Sequence, residues 1–240
     1  MHARLLPICA AAVLAAALGA CSSSGGGGDS GGANGTSAAA PVNARARQSL
    51  KLYNDLRAKG SYALAAPIGE GVVKRHPGSA AAKEIQRTLA DTQKRAAAIN
   101  ETRRLAGLWL YQSGEQSGGT QHTASLKPSQ PASARDHIEL VLRRHSDWGQ
   151  SVYLYDHGGK GFVCKGHCTL QARFDGEPRK LDAFRPQTHD PAIFIQHDKR
   201  FIAALEKAKV IEITVQPRDG ASETLKFEVS GFDPARWPKL

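Results

Sequence analysis

Apolar residues take three successive spacings along this chain, and each predicts a different kind of element. An unbroken apolar run leads from Cys9 to Leu18 behind His2 and Arg4, the layout of a secretory signal whose core is too short to span a bilayer. From residue 43 the spacing becomes helical. Leu50, Tyr53 and Leu56 recur three apart, Lys59-Gly60 reads as a stop, and Tyr62, Leu64 and Ala65 open a second helix that Pro67 and Gly69-Glu70-Gly71 should weaken. The turn and cap His76-Pro77-Gly78-Ser79 precede a long third helix, in which Ile85, Leu89, Ala96, Ile99 and Leu105 share one face. After residue 106 the period falls to two. Ile138, Leu140 and Leu142 alternate with Glu139, Val141 and Arg143, and the same pattern recurs at Leu170, Ala172 and Phe174, at Ile211, Ile213 and Val215, and at Leu225, Phe227 and Val229. Gly158-Gly159, Asp175-Gly176-Glu177-Pro178 and Asp219-Gly220 supply turns between such strands. Asp198 is placed to cap one further helix that turns Phe201, Ile202, Leu205 and Ala208 inward. Stretches near 112–120 and 127–135, rich in Gly, Ser, Gln and Pro, read as surface loops. The expected fold class is α+β: a helical hairpin or three-helix segment over 43–106, then an antiparallel β-rich, sandwich-like domain with one helix over 107–240.

Composition adds an address. Leu18-Gly19-Ala20-Cys21, directly after the apolar run and followed by Ser22-Ser23-Ser24, resembles the lipobox of bacterial lipoproteins. The resemblance implies removal of residues 1–20 and lipidation of Cys21. Ser rather than Asp at position 22 then implies outer-membrane sorting in Gram-negative species. Several buried acyl chains anchor a protein stably where one anchors it marginally, so the expected partner of the N-terminus is a membrane. Residues 21–42 are nearly all Gly, Ser, Ala, Asn and Thr, a composition that reads as a flexible tether. Within it, Gly28-Asp29-Ser30-Gly31-Gly32 spells the surroundings of a trypsin-like nucleophile. That chemistry needs a His and an Asp earlier in the chain and a large β-barrel around the serine, and neither precedes Ser30, so the motif is a coincidence of low complexity.

Charge narrows the partners. Lys and Arg number 32 against 22 Asp and Glu, a formal net charge of +10, and loss of residues 1–20 removes only Arg4 from that excess. The basic residues are dispersed rather than gathered into an arm, which speaks against nucleic acid; the default reading is a solvated surface, and the alternative is contact with lipopolysaccharide, anionic phospholipid, peptidoglycan or another acidic glycan of the envelope.

Two longer stretches carry resemblances. "VVKRHPGSAAAKEI" resembles the end of one tetratricopeptide-type helix, its turn and the start of the next, over little more than one helix pair and without the aromatic positions of that family. Trp109-x-Tyr111, Ile138-Glu139-Leu140, "FVCKGHCTLQARFDG", "IFIQHDKRFIAALEKAK" and "FEVSGFD" together resemble a domain of uncharacterised proteobacterial envelope proteins, and more distantly accessory proteins linked to type VI secretion. The resemblance implies a fold without an established chemistry, and Trp109, Phe174, Phe201 and Phe227 serve as packing positions.

Candidate chemistry is sparse. Cys164 and Cys168 enclose Lys165-Gly166-His167 between strand-like segments, which predicts a disulfide across a tight hairpin in an oxidising compartment. The alternatives are a metal site with His167 as a further ligand or a redox pair; the spacing is not that of a paired zinc knuckle or of Cys-x-x-Cys. His189-Asp190 and His197-Asp198-Lys199-Arg200 flank a strand, and an enzyme would need His189, His197 and a carboxylate to converge. Arg143, Arg144, His189, His197, Lys199 and Arg200 are therefore the candidate binding residues. No catalytic residue, metal or cofactor is expected, and the reading is a non-catalytic binding or scaffolding module for a protein partner in the envelope, with polymer binding as the alternative.

Overall fold

The computed structural model describes residues 39–129 and 137–240. The signal, the lipobox-like Cys21, most of the tether and part of the loop expected at 127–135 lie outside them. Among the described residues three helices come first: α1 (Ala39–Ala58), α2 (Tyr62–Arg75) and α3 (Ala80–Gly107). α1 stops as its sequence implies. Gly60 adopts φ 70°, and Ser61 N–H reaches back to the Leu56 carbonyl at 2.8 Å, the left-handed ending that satisfies the last carbonyls. Ser79 caps α3 by accepting from Ala82 N–H at 3.1 Å.

α2 runs unbroken through Pro67, contrary to the weakening expected there, and the reason is packing. Gly69 gives the close approach: a Cβ at that position would stand 2.8 Å from Cε2 of Tyr53 and 2.9 Å from Cδ1 of Leu89. Tyr53, fully buried, and Ile85 meet Ala65 and Val72 in a small apolar cluster, and the Tyr53 hydroxyl shares hydrogen bonds with Thr88 and Thr92. Tertiary contact here outweighs local propensity.

One residue, Leu108, separates α3 from the β domain. Among the described residues nine strands form one antiparallel sheet: β1 (Trp109–Gln116), β2 (Gly119–Leu126), β3 (Ile138–His145), β4 (Gly149–Asp156), β5 (His167–Phe174), β6 (Glu177–Phe184), β7 (Ala192–Ile195), β8 (Val210–Val215) and β9 (Glu223–Glu228), in the order β1-β2-β3-β4-β7-β6-β5-β8-β9. α4 (Asp198–Leu205) follows β7. Every alternating run predicted as a strand points its apolar set into one core, where Phe201, Ile202, Leu205 and Ala208 join it. The stretch near 112–120 is not a loop. It is the β1–β2 hairpin, turned by Ser117 and Gly118 at φ 48° and 85°, and its strands read as loop because most of β1 is solvated on both faces.

The last residues tie the two ends of the sheet order together. Phe232, just after β9, lies 5.0 Å from the Trp109 ring of β1, and Asp233 N–H donates to the Tyr111 hydroxyl at 2.7 Å. Trp237 is buried and donates through Nε1 to the His122 carbonyl of β2. Arg104 on α3 pairs with Glu101 at 2.8 Å and with Glu228 of β9 at 2.6 Å, which raises the Arg104 guanidinium above its usual value through hydrogen bonds to both carboxylates. None of the described helices is long and apolar enough to cross a membrane.

Candidate binding groove

The central lane of the sheet is unequal. β6 is eight residues long and pairs with β5 along its whole length, whereas β7 is four residues long and meets β6 at only two positions, Ala183↔Ile195 and Phe184↔Phe194. The chain then leaves the sheet. Gln196 N–H donates to the Asp182 carbonyl, and α4 begins two residues later, its Asp198 carboxylate accepting from Gln150 of β4 at 2.7 Å. Asp198 is therefore the first residue of the helix and not its cap; His197 occupies the cap position without a side-chain bond.

Between α4 and the part of β6 that β7 does not reach lies a groove of about 430 Å³. Its apolar floor is Phe174, Leu181, Ile195, Phe201 and Ala204, and its margin carries Arg179, Lys180, His197 and Arg200 with Asp182 as the opposing charge. Strand alternation explains the two layers: Arg179 and Leu181 share the core-facing side with buried Ala183, while Lys180 and Asp182 point to the other face with Phe184. Arg179 lies over the Phe174 ring at 4.9 Å, and His197 Nε2 stands 3.9 Å from the Asp182 carboxylate. Three basic side chains and an imidazole against one carboxylate favour an anionic ligand. The size is that of a small-ligand or peptide-side-chain site. None of the residues lining it carries a hydroxyl or thiol that a His–Asp pair would activate.

The residues predicted from sequence separate. His197 and Arg200 line the groove, and Lys199, exposed beside them, does not. His189, exposed in the turn before β7 at φ 63°, lies at the other end of that strand, about 13 Å of extended chain from His197's end, so the two imidazoles do not converge. Its neighbour Asp190 accepts from Thr188 within the turn. Arg143 and Arg144 take opposite faces of β3. Arg144 stacks on Trp237 at 3.6 Å and donates to the Trp237 carbonyl, a structural role; burial pulls its guanidinium below the usual value against the opposing charge of Glu206. Arg143 lies on the outer face over Trp148, Tyr153 and Phe194 at 5.2, 5.4 and 5.9 Å. That face bears a cross-strand aromatic row, with Tyr153 tilted against Phe194 at 4.8 Å, Phe184 stacked on it at 5.4 Å, and Trp148 half exposed at its margin.

Cys164 and Cys168 form a disulfide, with a Cα separation of 5.7 Å. They do not face one another across a hairpin. Phe162 bridges Pro217 and Val163 N–H donates to the Gln216 carbonyl, while Gln171 pairs with Thr214, so the chain pairs with the same neighbouring segment before and after the bond. The disulfide closes the neck of a detour at the start of β5, and His167 inside it engages Gln196 at 2.7 Å. No group of three or more His, Cys, Asp or Glu is placed to hold a metal among the described residues.

Arg179, Lys180 and Asp182 escaped the sequence reading because β6 has weak apolar alternation and because Glu177-Pro178, expected in the turn, are the first two residues of that strand, where Pro178 sits as a residue confined to strand edges. No protein-family model matches the chain, and no curated protein matches it. Among solved structures, the invasion associated protein B of Bartonella henselae matches with a TM-score of 0.36 and 16% identity, over 53% of this chain and 87% of that one, too slight a likeness to carry a functional argument.

Proposed function

We propose that this protein is a lipid-anchored envelope module, held in the outer membrane through Cys21, that binds an acidic segment of a protein partner in the groove between β6 and α4 without catalysing a reaction. The observation that carries the reading is the pairing of an apolar floor with a rim of Arg179, Lys180, His197 and Arg200. Such a rim favours a carboxylate-bearing partner and speeds its encounter, and the floor gives one apolar side chain somewhere to be buried. The lipobox-like run and the Gly/Ser-rich stretch after it support anchoring at a short distance from the membrane.

Site-specific photo-crosslinking in cells tests the binding half. A photoreactive side chain at position 200 is expected to give a discrete protein adduct that the Arg179→Gln change removes, whereas the same probe at exposed Lys207 gives none. Lipid or glycan adducts alone at position 200 would sink the protein-partner reading. Cys21→Ser is expected to move the protein out of the membrane fraction, and unchanged fractionation would remove the anchor from the proposal.

A second reading rests on the outer face. Exposed Trp148 beside Arg143 and the Tyr153–Phe194–Phe184 row offers flat aromatic surface with a cation at its edge, a combination suited to a sugar of an envelope polymer. Co-sedimentation with purified peptidoglycan, lost on Trp148→Ala, would favour that surface over the groove.

A further inference from the structure

The groove is bounded on one side by bare strand edge. Because Gln196 N–H bonds the Asp182 carbonyl, the backbone groups of Asp182 point toward the lane of β7, and by alternation so do those of Lys180 and Pro178. β7 stops short of them. Among the described residues no hydrogen bond reaches Lys180 N–H, the Lys180 carbonyl or Asp182 N–H from that side. Solvent-exposed strand edges of this kind are templates for pairing unless they are blunted, and Pro178 with Lys180 are the residue types that blunt them against unselective partners. Here the edge is recessed rather than terminal: it lies inside the sheet order, with α4 occupying the far wall of the lane.

We propose that the partner binds by strand addition, an extended acidic segment entering the lane that β7 leaves and pairing its backbone with Lys180 and Asp182 of β6. This rests on the groove being the binding site, as argued above. The side chains of β6 then dictate the recognised pattern. Successive residues of an added strand alternate between the two faces. Those turned to the core side meet Leu181, Phe201 and Ala204 and must be apolar; those turned outward pass Lys180 and carry the carboxylate, while Arg179 and Arg200 close the two margins of the apolar slot. Asp182 repels a carboxylate beside itself, which fixes the acidic position opposite Lys180 and so selects one register. Hydrogen bonds to the edge supply affinity independent of sequence, and the alternation of apolar and acidic residues supplies the selection.

Two N-methylated forms of one peptide separate this mode from simple charge attraction. The probe is fluorescein-labelled Thr-Val-Glu-Val-Glu with an amide C-terminus, titrated with the full-length protein and read by anisotropy. Its two isomers are N-methylated either at every Glu or at every Val, so that one isomer loses the donors facing β6 and the other those facing away. Strand addition predicts that one isomer binds about tenfold more weakly and the other does not, since each lost pairing is worth a sizeable fraction of a factor of ten. It also predicts that Lys180→Pro, which deletes the edge donor, weakens binding about tenfold beyond the charge loss of Lys180→Ala. Lys180→Pro is compared only at an unfolding midpoint equal to that of Lys180→Ala, and the peptide isomers require no variant. Equal binding of the parent and both isomers overturns strand addition and leaves groove binding standing. No binding of the parent, with or without binding to phosphatidylglycerol vesicles, overturns both.

Discussion

Arg144→Met removes a cation that the sequence offered as a binding residue and that the fold uses as a clasp. The Arg144 guanidinium lies 3.6 Å from the centre of the Trp237 ring and donates to the Trp237 carbonyl, with a longer bond to Gln150 at 3.3 Å. Methionine keeps most of the apolar stem, so the loss is confined to the charge. A hydrogen bond from a charged donor is worth about 1.5–3 kcal/mol and a partly exposed cation–π contact about 0.5–1 kcal/mol. Water can re-solvate part of what is lost, and we expect a net cost of about 2–3 kcal/mol. For a folded unit of roughly 200 residues, each kcal/mol moves the midpoint by about 2–4 °C, giving a fall in Tm of about 4–12 °C. Equilibrium urea unfolding of the full-length protein measures the cost directly as a lower midpoint at unchanged slope. The contact can be isolated by repeating the change in a Trp237→Leu background, where Arg144→Met should cost clearly less. Peptide binding should be unaffected, and Arg200→Gln should show the reverse: weaker binding with stability unchanged within about 0.5 kcal/mol. An Arg144→Met protein as stable as the parent, with weaker peptide binding, would refute this assignment and return Arg144 to the ligand site.

Three further expectations follow from particular contacts. Replacing both Cys164 and Cys168 by Ser opens a five-residue ring, for which the loop-entropy relation gives about 2 kcal/mol; calorimetry should show the loss, and a reducing agent should reproduce it in the parent alone. Gly231→Ala places a Cβ onto the backbone carbonyl of Leu105 at the end of α3, so the junction of helix and sheet must shift, with an expected cost of about 3 kcal/mol or more; an unfolding free energy within about 0.5 kcal/mol of the parent, the size of a neutral surface change, would contradict the contact. The Tyr153 phenol is raised above the usual tyrosine value, mainly by burial against the partial offset of Arg143. Since burial favours the neutral form, Tyr153 adds stability below the unfolded-state tyrosine pKa and loses it as pH rises through the folded value. Phenolate absorbance should show a late-titrating component that Tyr153→Phe diminishes.

Much of the fold was legible because its strands are half buried. At Ile138, Leu140 and Leu142, or Ile211, Ile213 and Val215, one face must be apolar and the other need not be, so period two is written directly into the residues. The helices were legible for the same reason, and the one misjudged, α2, shows where the rule ends: Gly69 breaks a helix by propensity but admits Tyr53 at a distance no other residue allows. β1 and β6 were invisible for the opposite reason, since solvent reaches both faces of most of β1 and β6 presents Arg, Lys and Asp among few apolar residues.

The groove could not be read from the chain because it is made by a mismatch between strand lengths. A pair of strands leaves a free edge wherever one outlasts the other, and no residue needs to announce it: β7 ends at Ile195 because α4 must start there to bring Phe201 and Leu205 into the core. What remains of β6 then faces α4 instead of a strand. The residues along it are those that a protein can place on an edge without inviting indiscriminate pairing, Pro178 first, then Arg179 and Lys180. His197 and Arg200 were visible as charges near a helix start, but their meaning depends on partners some 20 residues earlier in the chain, brought opposite them only by the short β6–β7 register at Ala183 and Phe184. This gives the site a structural dependence that can be probed away from its lining. A β-breaking change at Phe194, which pairs with Phe184 and packs beside Tyr153 on the outer face, should loosen the register that sets the groove's width. Phe194→Gly should therefore weaken acidic-peptide binding although Phe194 does not line the groove, whereas Phe194→Tyr should preserve it, and equal binding by both at native stability would mean that the groove does not depend on this pairing.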